Sequence, residues 1–405
     1  MSQLLNSLPI SPGAPLTRLA GSSKLLRAMN ESAALALLLD PGMLTRTDLR
    51  KLTALSTPTI SEMLRRLTEA GLVHIVGHDS GRPGPNAEIY SANPDAAYVA
   101  AVSVRDIGTS RTPSVAAALC DLTGAVRARF ESRVDFLAAD PVAALADVVD
   151  QLRERAAVPG DRIRHVRLGV PGSYDPKTET IRLVDVPGFA RPGLVPEIAA
   201  ALGTDVGVDN DVNLAAVAER ERGTGRDAEG FALLWIGQDG LGLAIDINGT
   251  LLRGTRGGAG EIGYMPLYSP DSSHRKLDLQ DLFGGGAILD LARENGISGD
   301  TPAEVVAVAA AEPGEFLTAL ADRIVIGLAA VTAVLDPYLV VLAGPIAQAG
   351  GAPLLTAVTD AFRRAAPLEC SVAVTTVDDD AVLLGALDAG LATVRAALIA
   401  AIRDS

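Results

Sequence analysis

Apolar positions in the first hundred residues recur at helical spacing and then change to strand-like runs. Residues 29–39 form an apolar helical stretch that stops at Asp40-Pro41-Gly42. A second helix is expected over TRTDLRKLTAL, with Thr45 at its N-cap and Asp48 three residues on, the spacing of a capping box. Ser56 or Thr57 caps a third helix, and Pro58 suits its first turn. Within it Ile60, Leu64 and Leu67 share one face. Thr57, Thr59, Ser61, Glu62 and Arg65 are left on the other. Two strand-like runs follow, 72–76 and 87–90, joined by GHDSGRPGPN with Arg82 at its tip.

After a short linker, SANPD at 91–95, the pattern changes again. Apolar strand-like runs at 97–104, 115–121 and 165–170 flank an amphipathic helical segment at 141–157. Residues 231–248 read as strand, turn, strand. A long apolar helical region covers 307–335, a short buried strand 339–342, and an Ala-rich helix ends the chain. Strands alternating with helices predict an α/β body. Three parts are expected: an arm over 1–22, a head over 23–94 and a body over 95–405.

The head reads as a winged helix–turn–helix. Small hydroxyl side chains at the start of a helix let it lie deep in a major groove, and an arginine on a stiff tip can enter a minor groove. The candidate DNA-contacting residues are Thr45, Arg46, Ser56, Thr57, Thr59, Ser61, Glu62, Arg65 and Arg82. A three-helix protein-interaction module has the same apolar spacing. Charge favours DNA: the chain carries −14 overall, but residues 1–94 carry +2 and the remainder −16. Two cysteines far apart, Cys120 and Cys370, fit a reducing cytoplasm. No run of about 18 uninterrupted apolar residues occurs, so neither a transmembrane helix nor a membrane partner is expected.

Candidate chemistry lies in two stretches of the body. In GTRGGAGEIGYMP (254–266) Gly254, Gly257, Gly258 and Gly260 free the backbone to approach a ligand, and Glu261 follows. A carboxylate can accept bonds from two adjacent hydroxyls, which suits a polyhydroxylated molecule. A glycine-rich hairpin corner is the plainer reading. In VGVDNDVNLAAVAE (206–219) an apolar run ends in Asp209, Asn210, Asp211 and Asn213 ahead of a helix, the place where α/β sheets line a cleft. Asp209 or Asp211 could equally be a helix N-cap.

With LGVPGSYD at 168–175, these stretches resemble the sugar-binding domain of the ROK family of repressors and sugar kinases, on the side of its xylose- and N-acetylglucosamine-type repressors. The GRP of the wing is similar to that of ROK repressors. The resemblance implies a two-lobed, actin-like (ribonuclease H-like) body of the ATPase type. It implies sugar contacts from Asn210, Asp211, Gly258, Glu261, Tyr264 and Gln280, and a loop around Phe189 that closes over the ligand. In a kinase the aspartate at 211 is the general base; in a sensor it accepts a hydrogen bond.

The sequence departs from the kinase pattern. The first phosphate turn has Asp106, Gly108 and Thr109 but lacks its second glycine. Gln238 and Asp239 stand in the second, and Pro345 in the adenosine turn. Tyr264 replaces the zinc histidine, Gln280 replaces a sugar-binding glutamate, and residues 267–281 hold His274 but no cysteine. No metal and no cofactor are expected, and no enzymatic activity. The sequence therefore predicts a cytoplasmic transcriptional regulator, a repressor by preference. It would bind double-stranded operator DNA as a homodimer or homotetramer and answer to a sugar or sugar derivative. A regulator whose cleft serves another effector or none, and a sugar kinase with an accessory head, are the alternatives.

Overall fold

The computed structural model describes residues 21–39, 42–79, 87–105, 114–267, 277–365, 367–377 and 380–404. By its internal contacts the chain divides into two units. One comprises the residues up to Asn93 together with those from Ala396 on, and the other runs from Pro94 to Arg395. The wing tip with Arg82, the turn with Asp106, Gly108 and Thr109, and His274 lie outside the described residues.

The head opens with α1 (Gly21–Leu39), which starts earlier than the apolar pattern suggested. A two-residue strand β1 (Leu44–Thr45) follows, then α2 (Arg46–Thr53) and α3 (Thr57–Glu69). Strands β2 (Val73–Asp79) and β3 (Ala87–Ala92) close the unit. All three strands pair antiparallel in the order β1-β3-β2. β1 escaped the sequence reading because a strand this short exists only by pairing with Tyr90 and Ile89. The capping box forms as expected. The Asp48 N–H donates to Thr45 Oγ1 (3.2 Å) and the Thr45 N–H to Asp48 Oδ2 (3.1 Å), a device worth about 1 kcal/mol. Ser56, rather than Thr57, caps α3. Ile60, Met63, Leu64 and Leu67 bury one face of α3 together with Leu35, Leu38 and Leu49.

The body repeats one plan twice. In the first lobe β4 (Tyr98–Val104), β5 (Val115–Asp121) and β6 (Val126–Ser132) form an antiparallel meander. Then come α4 (Pro141–Ala156), β7 (Ile163–Val170), a small hairpin of β8 (Ser173–Asp175) and β9 (Thr180–Arg182), α5 (Leu194–Leu202) and β10 (Asp205–Asn210). The sheet order is β10-β7-β4-β5-β6, with β4, β7 and β10 parallel. Every residue of β4 and β5 is buried, which explains their continuous apolar runs where one-sided strands would alternate. Asp140 caps α4 by accepting the Ala143 N–H (3.0 Å). Its Leu145, Val148 and Leu152 enter the core, each worth about 1.5–3 kcal/mol of burial. Helix α6 (Asp211–Arg222) leaves this lobe directly from β10.

The second lobe has β11 (Phe231–Ile236), β12 (Leu241–Ile247) and β13 (Thr250–Leu251), the small pair β14 (Pro266–Leu267) and β15 (Leu277–Asp278), and helices α7 (Leu279–Phe283), α8 (Gly285–Glu294), α9 (Pro302–Ala311) and α10 (Glu315–Leu335). It ends with β16 (Leu339–Ala343), α11 (Pro345–Ala365), β17 (Ser371–Val374) and α12 (Ala381–Asp404). Its sheet order, β13-β12-β11-β16-β17, matches the first strand for strand: a meander followed by two parallel strands. This is the two-lobed actin-like plan. The apolar stretch 307–335 is two helices and not one, because Pro313 and Gly314 interrupt it. Helices α10 and α12 are long and apolar enough to cross a membrane by composition alone, although no uninterrupted apolar run signals them. Half of the apolar window of α10 is buried in the lobe, and Phe316, Leu320, Ile324 and Leu328 belong to its core.

Helices α6 and α12 hold the lobes together. Val212 and Ala216 of α6 pack on Phe231, Leu233 and Val341 of the second sheet, while its Leu214 lies against Gly169 of β7 in the first. Helix α12 crosses α6 at Gly385, where an added Cβ would lie 1.7 Å from the Leu214 carbonyl oxygen.

Candidate functional site

Two surfaces carry the candidate residues. On the head, Thr57, Thr59, Glu62 and Arg65 are exposed along α3 and Ser61 is half-buried, so all five share an accessible face. Ser56 and Thr59 also serve the helix start, where their hydroxyls lie 2.8 Å apart. Arg65 is gripped by Glu62 (2.6 Å) and Glu69 (2.5 Å). Its guanidinium hydrogen bond holds the Glu62 carboxyl below its usual range. To meet a phosphate, Arg65 must exchange these partners. Arg46 is engaged by Glu88 (2.6 Å) and the Tyr90 hydroxyl (2.5 Å). Thr45 is held in its capping box with Asp48.

The second surface is a cleft of about 790 Å³ between the lobes of the body. It gathers Asn210, Asp211, Glu261, Tyr264 and Gln280, residues that the sequence separates by up to 70 positions. Gly258 does not line it; Ala259 and Gly260 do. Gly254, Gly257 and Gly260 take the positive φ that the sequence suggested, and two of them are also needed by the chain itself. A Cβ at Gly260 (φ 94°) would lie 1.8 Å from the Leu243 carbonyl oxygen, and one at Gly257 (φ 77°) 2.1 Å from that of Tyr174. They let the loop lie flat on β12 and on the β8 turn.

Asn210, and neither aspartate beside it, is the N-cap of α6. Its Oδ1 accepts the N–H groups of Val212 (2.9 Å) and Asn213 (3.2 Å), and its Nδ2 donates to the Gly172 carbonyl (3.3 Å). Its carboxamide is thus committed to holding the cleft wall. Asp211 is the first residue of α6, where the helix N-terminus favours a negative charge. Asp209 is buried and takes a bidentate grip from Arg253 (Nη2–Oδ2 2.6 Å) that joins the two lobes. Glu261 accepts a hydrogen bond from the Ser173 hydroxyl. Tyr264 is exposed at the rim, and partial burial pushes its phenol up. Gln280 reaches the cleft, yet both ends of its amide pin the β11–β12 turn: Oε1 accepts the Leu241 N–H (3.1 Å) and Nε2 donates to the Asp239 carbonyl (2.6 Å). Phe189, expected in a closing loop, is fully buried edge-on against Phe136 at 5.1 Å and belongs to the core of the first lobe.

The sequence reading missed a charged group of the same cleft. Arg105, just past β4, bridges Asp380 (2.6 Å) and Glu131 (2.9 Å), and all three line the cleft. Asp380 in turn accepts the Leu383 N–H (3.1 Å) at the start of α12. Nothing local marks these residues: Asp380 is 275 positions from Arg105. The turn between β11 and β12, at Gln238 and Asp239, also lines the cleft, as do Pro345 and Gln348. Among the described residues no three His, Cys, Asp or Glu side chains are grouped to hold a metal ion.

The sequence profile of the ROK family matches residues 106–392. A xylose repressor of Caldicellulosiruptor bescii is 24% identical over 62% of this chain. A beta-glucoside kinase of Listeria innocua is 36% identical over 32% of it. The chain spans less than two thirds of these relatives' own lengths, 62% of the repressor and 43% of the kinase. Among solved structures, a ROK family transcriptional regulator described as a homologue of the E. coli MLC protein superposes with a TM-score of 0.69. It is 19% identical and covers 94% of this chain and all of that one. A glucokinase from Streptomyces griseus, solved with glucose and AMPPNP, gives 0.58 at 22% identity over 72% of this chain and 99% of its own. Both are likenesses of fold.

Proposed function

Because the chain belongs to the ROK family, we propose that it is a sequence-specific DNA-binding transcriptional regulator, a repressor, whose cleft takes a sugar or sugar derivative. The observation that carries this reading is the exposed hydroxyl face on α3, in a head whose helices α2 and α3 are followed by the paired strands β2 and β3 and which precedes the ROK body in the same chain; such a head suits a winged helix–turn–helix. The similarity to a xylose repressor supports it. The α3 face would enter the major groove of a double-stranded operator, with Arg82 in the adjoining minor groove. One head offers little base readout, so a homodimer or homotetramer would bind, in the cytoplasm. The effector acts only through its different affinity for the DNA-competent and DNA-free states.

We place the chain as a sensor and not an enzyme on the nucleotide side of its cleft. Gln238 and Asp239 occupy the β11–β12 turn, Gln280 fixes that turn, and carboxylates crowd the wall at Glu131 and Asp380. Arg105 already engages Glu131 and Asp380, so a phosphate there would have to compete with two carboxylates for that guanidinium. Asp211 sustains the kinase alternative, since it lines the cleft and the ROK resemblance assigns a kinase's general base to that position.

Thermal shift of the full chain against sugars, N-acetyl sugars and sugar phosphates tests this reading, because a ligand of the folded state raises the melting temperature. The expected result is a stabilising sugar whose effect disappears in Asp211→Ala and which changes affinity for duplexes selected from a random pool. ATP turnover with a hexose, lost in Asp211→Asn, would establish the kinase instead. DNA binding with no response to any sugar would point to a different effector.

A further inference from the structure

Glu261 was expected to accept bonds from two adjacent hydroxyls of a polyhydroxylated molecule. The cleft is built otherwise. Ser173, on β8 of the first lobe, donates its hydroxyl to Oε1 of Glu261 on the glycine-rich loop of the second. Ser173 is buried, 3% exposed, so no bulk water competes for that donor. Its position is fixed from both sides. A Cβ on the preceding Gly172 would lie 2.7 Å from the Arg182 carbonyl oxygen, so the turn is pressed onto β9. Ser173 itself pairs with Arg182 in the hairpin. From the other side, Gly257 lies so close to Tyr174 that only a glycine fits. Turn and loop are thus locked in register, with the serine hydroxyl directed at the carboxylate.

We infer that Ser173 is a positioning and specificity-determining residue of the cleft: by engaging Glu261 Oε1 across the lobe boundary, it leaves that glutamate to read one hydroxyl of the effector and not two. This rests on the sugar-effector reading of the same site. The serine hydroxyl takes up one acceptor site of Oε1 and holds the carboxylate in one orientation, which leaves Oε2 to meet the effector. A charged acceptor makes such a bond stronger than a neutral one, so it persists when the cleft fills. Discrimination through Glu261 then falls on a single carbon of the sugar ring.

Two epimer series test this by calorimetric Kd: D-glucose with D-mannose, D-allose and D-galactose, and N-acetyl-D-glucosamine with its mannosamine and galactosamine counterparts. Discrimination that vanishes in Glu261→Ala is assigned to Glu261. In the wild type it should fall on one ring carbon, at roughly tenfold in Kd, the equivalent of one broken hydrogen bond. In Ser173→Ala the freed Oε1 should add discrimination of a similar size at the neighbouring carbon, and Ser173→Thr should restore the single-carbon pattern. A serine that merely holds the loop in place would change every Kd by the same factor. A uniform change, or a wild type that already discriminates at two adjacent carbons, overturns the inference while the sugar reading stands. Absence of binding by every sugar of both series overturns a single-hydroxyl reading of hexoses by Glu261, whereas the sugar reading itself falls only if the wider screen of sugars and sugar phosphates is also silent.

Discussion

Replacing Gly385 by alanine should strain the junction on which both walls of the cleft rest. Alanine is the better helix former, by roughly 1 kcal/mol, so propensity alone predicts a gain in stability. Geometry predicts the opposite. The new methyl would sit 1.7 Å from the Leu214 carbonyl oxygen and 2.6 Å from its carbonyl carbon, where ordinary contact begins at 3.4 Å. The obstacle is backbone of α6, so no side-chain rotation relieves it. The helices must separate by about the missing distance, and overpacking of this kind costs about 1–3 kcal/mol. With a backbone atom as the obstacle the upper part of that range applies, and the net expectation is a loss of about 1–2 kcal/mol. In a body that runs from Pro94 to Arg395, with an unfolding entropy of roughly 2 cal/mol/K per residue, a loss of that size lowers the melting temperature by about 2–3 °C. The same displacement should weaken effector binding, since α6 begins with Asp211 and α12 with Ala381 and Val382 of the cleft wall. Differential scanning calorimetry is the assay. Gly286→Ala provides the control, because Gly286 is helical and its added Cβ meets nothing within 4 Å. It should leave stability unchanged or raise it. A Gly385→Ala protein that melts as high as the wild type would refute the close crossing of α6 and α12.

Two further outcomes are expected. His165 is buried beside Arg167, and burial first, then that arginine, hold its pKa below the ordinary 6.5 despite the hydrogen bond of its Nδ1 with Asp205 (3.0 Å). The unfolded chain therefore binds a proton near pH 6 that the folded one refuses, so stability should be complete above 6.5 and fall as pH drops below it. His165→Gln should flatten that slope in urea titrations run from pH 7.5 to 5, and an unchanged slope would remove His165 from the account. Arg82→Ala should weaken operator binding in mobility shifts at moderate salt, and unchanged affinity would count against a wing in the minor groove.

Local chemistry was sufficient for much of this molecule. The capping box of Thr45 and Asp48, the apolar face of Ile60, Leu64 and Leu67, and the all-apolar strands β4 and β5 depend on neighbours a few residues away or on burial from both sides. Each was therefore legible in the order of residues. The motifs around Asn210 and Glu261 likewise announced a cleft and the family to which it belongs. What the side chains do there was a tertiary decision. Asn210, Asp211 and Asp209 are adjacent and chemically alike, yet one caps a helix, one faces the cleft and one holds Arg253, according to where β10 meets α6 and the second lobe. Gln280 looked like a ligand contact and is tied to a turn 39 positions away. The glycines before Glu261 were legible as positive-φ positions, but that Gly257 and Gly260 also make room for two carbonyl oxygens of their own chain was not. Phe189 looked like part of a lid and fills a core. Hydrogen-bonding capacity is a property of the residue, but its partner is set by the fold. Arg105, Glu131 and Asp380 meet only because the strand order of one lobe and the last helix of the other bring them to the same wall.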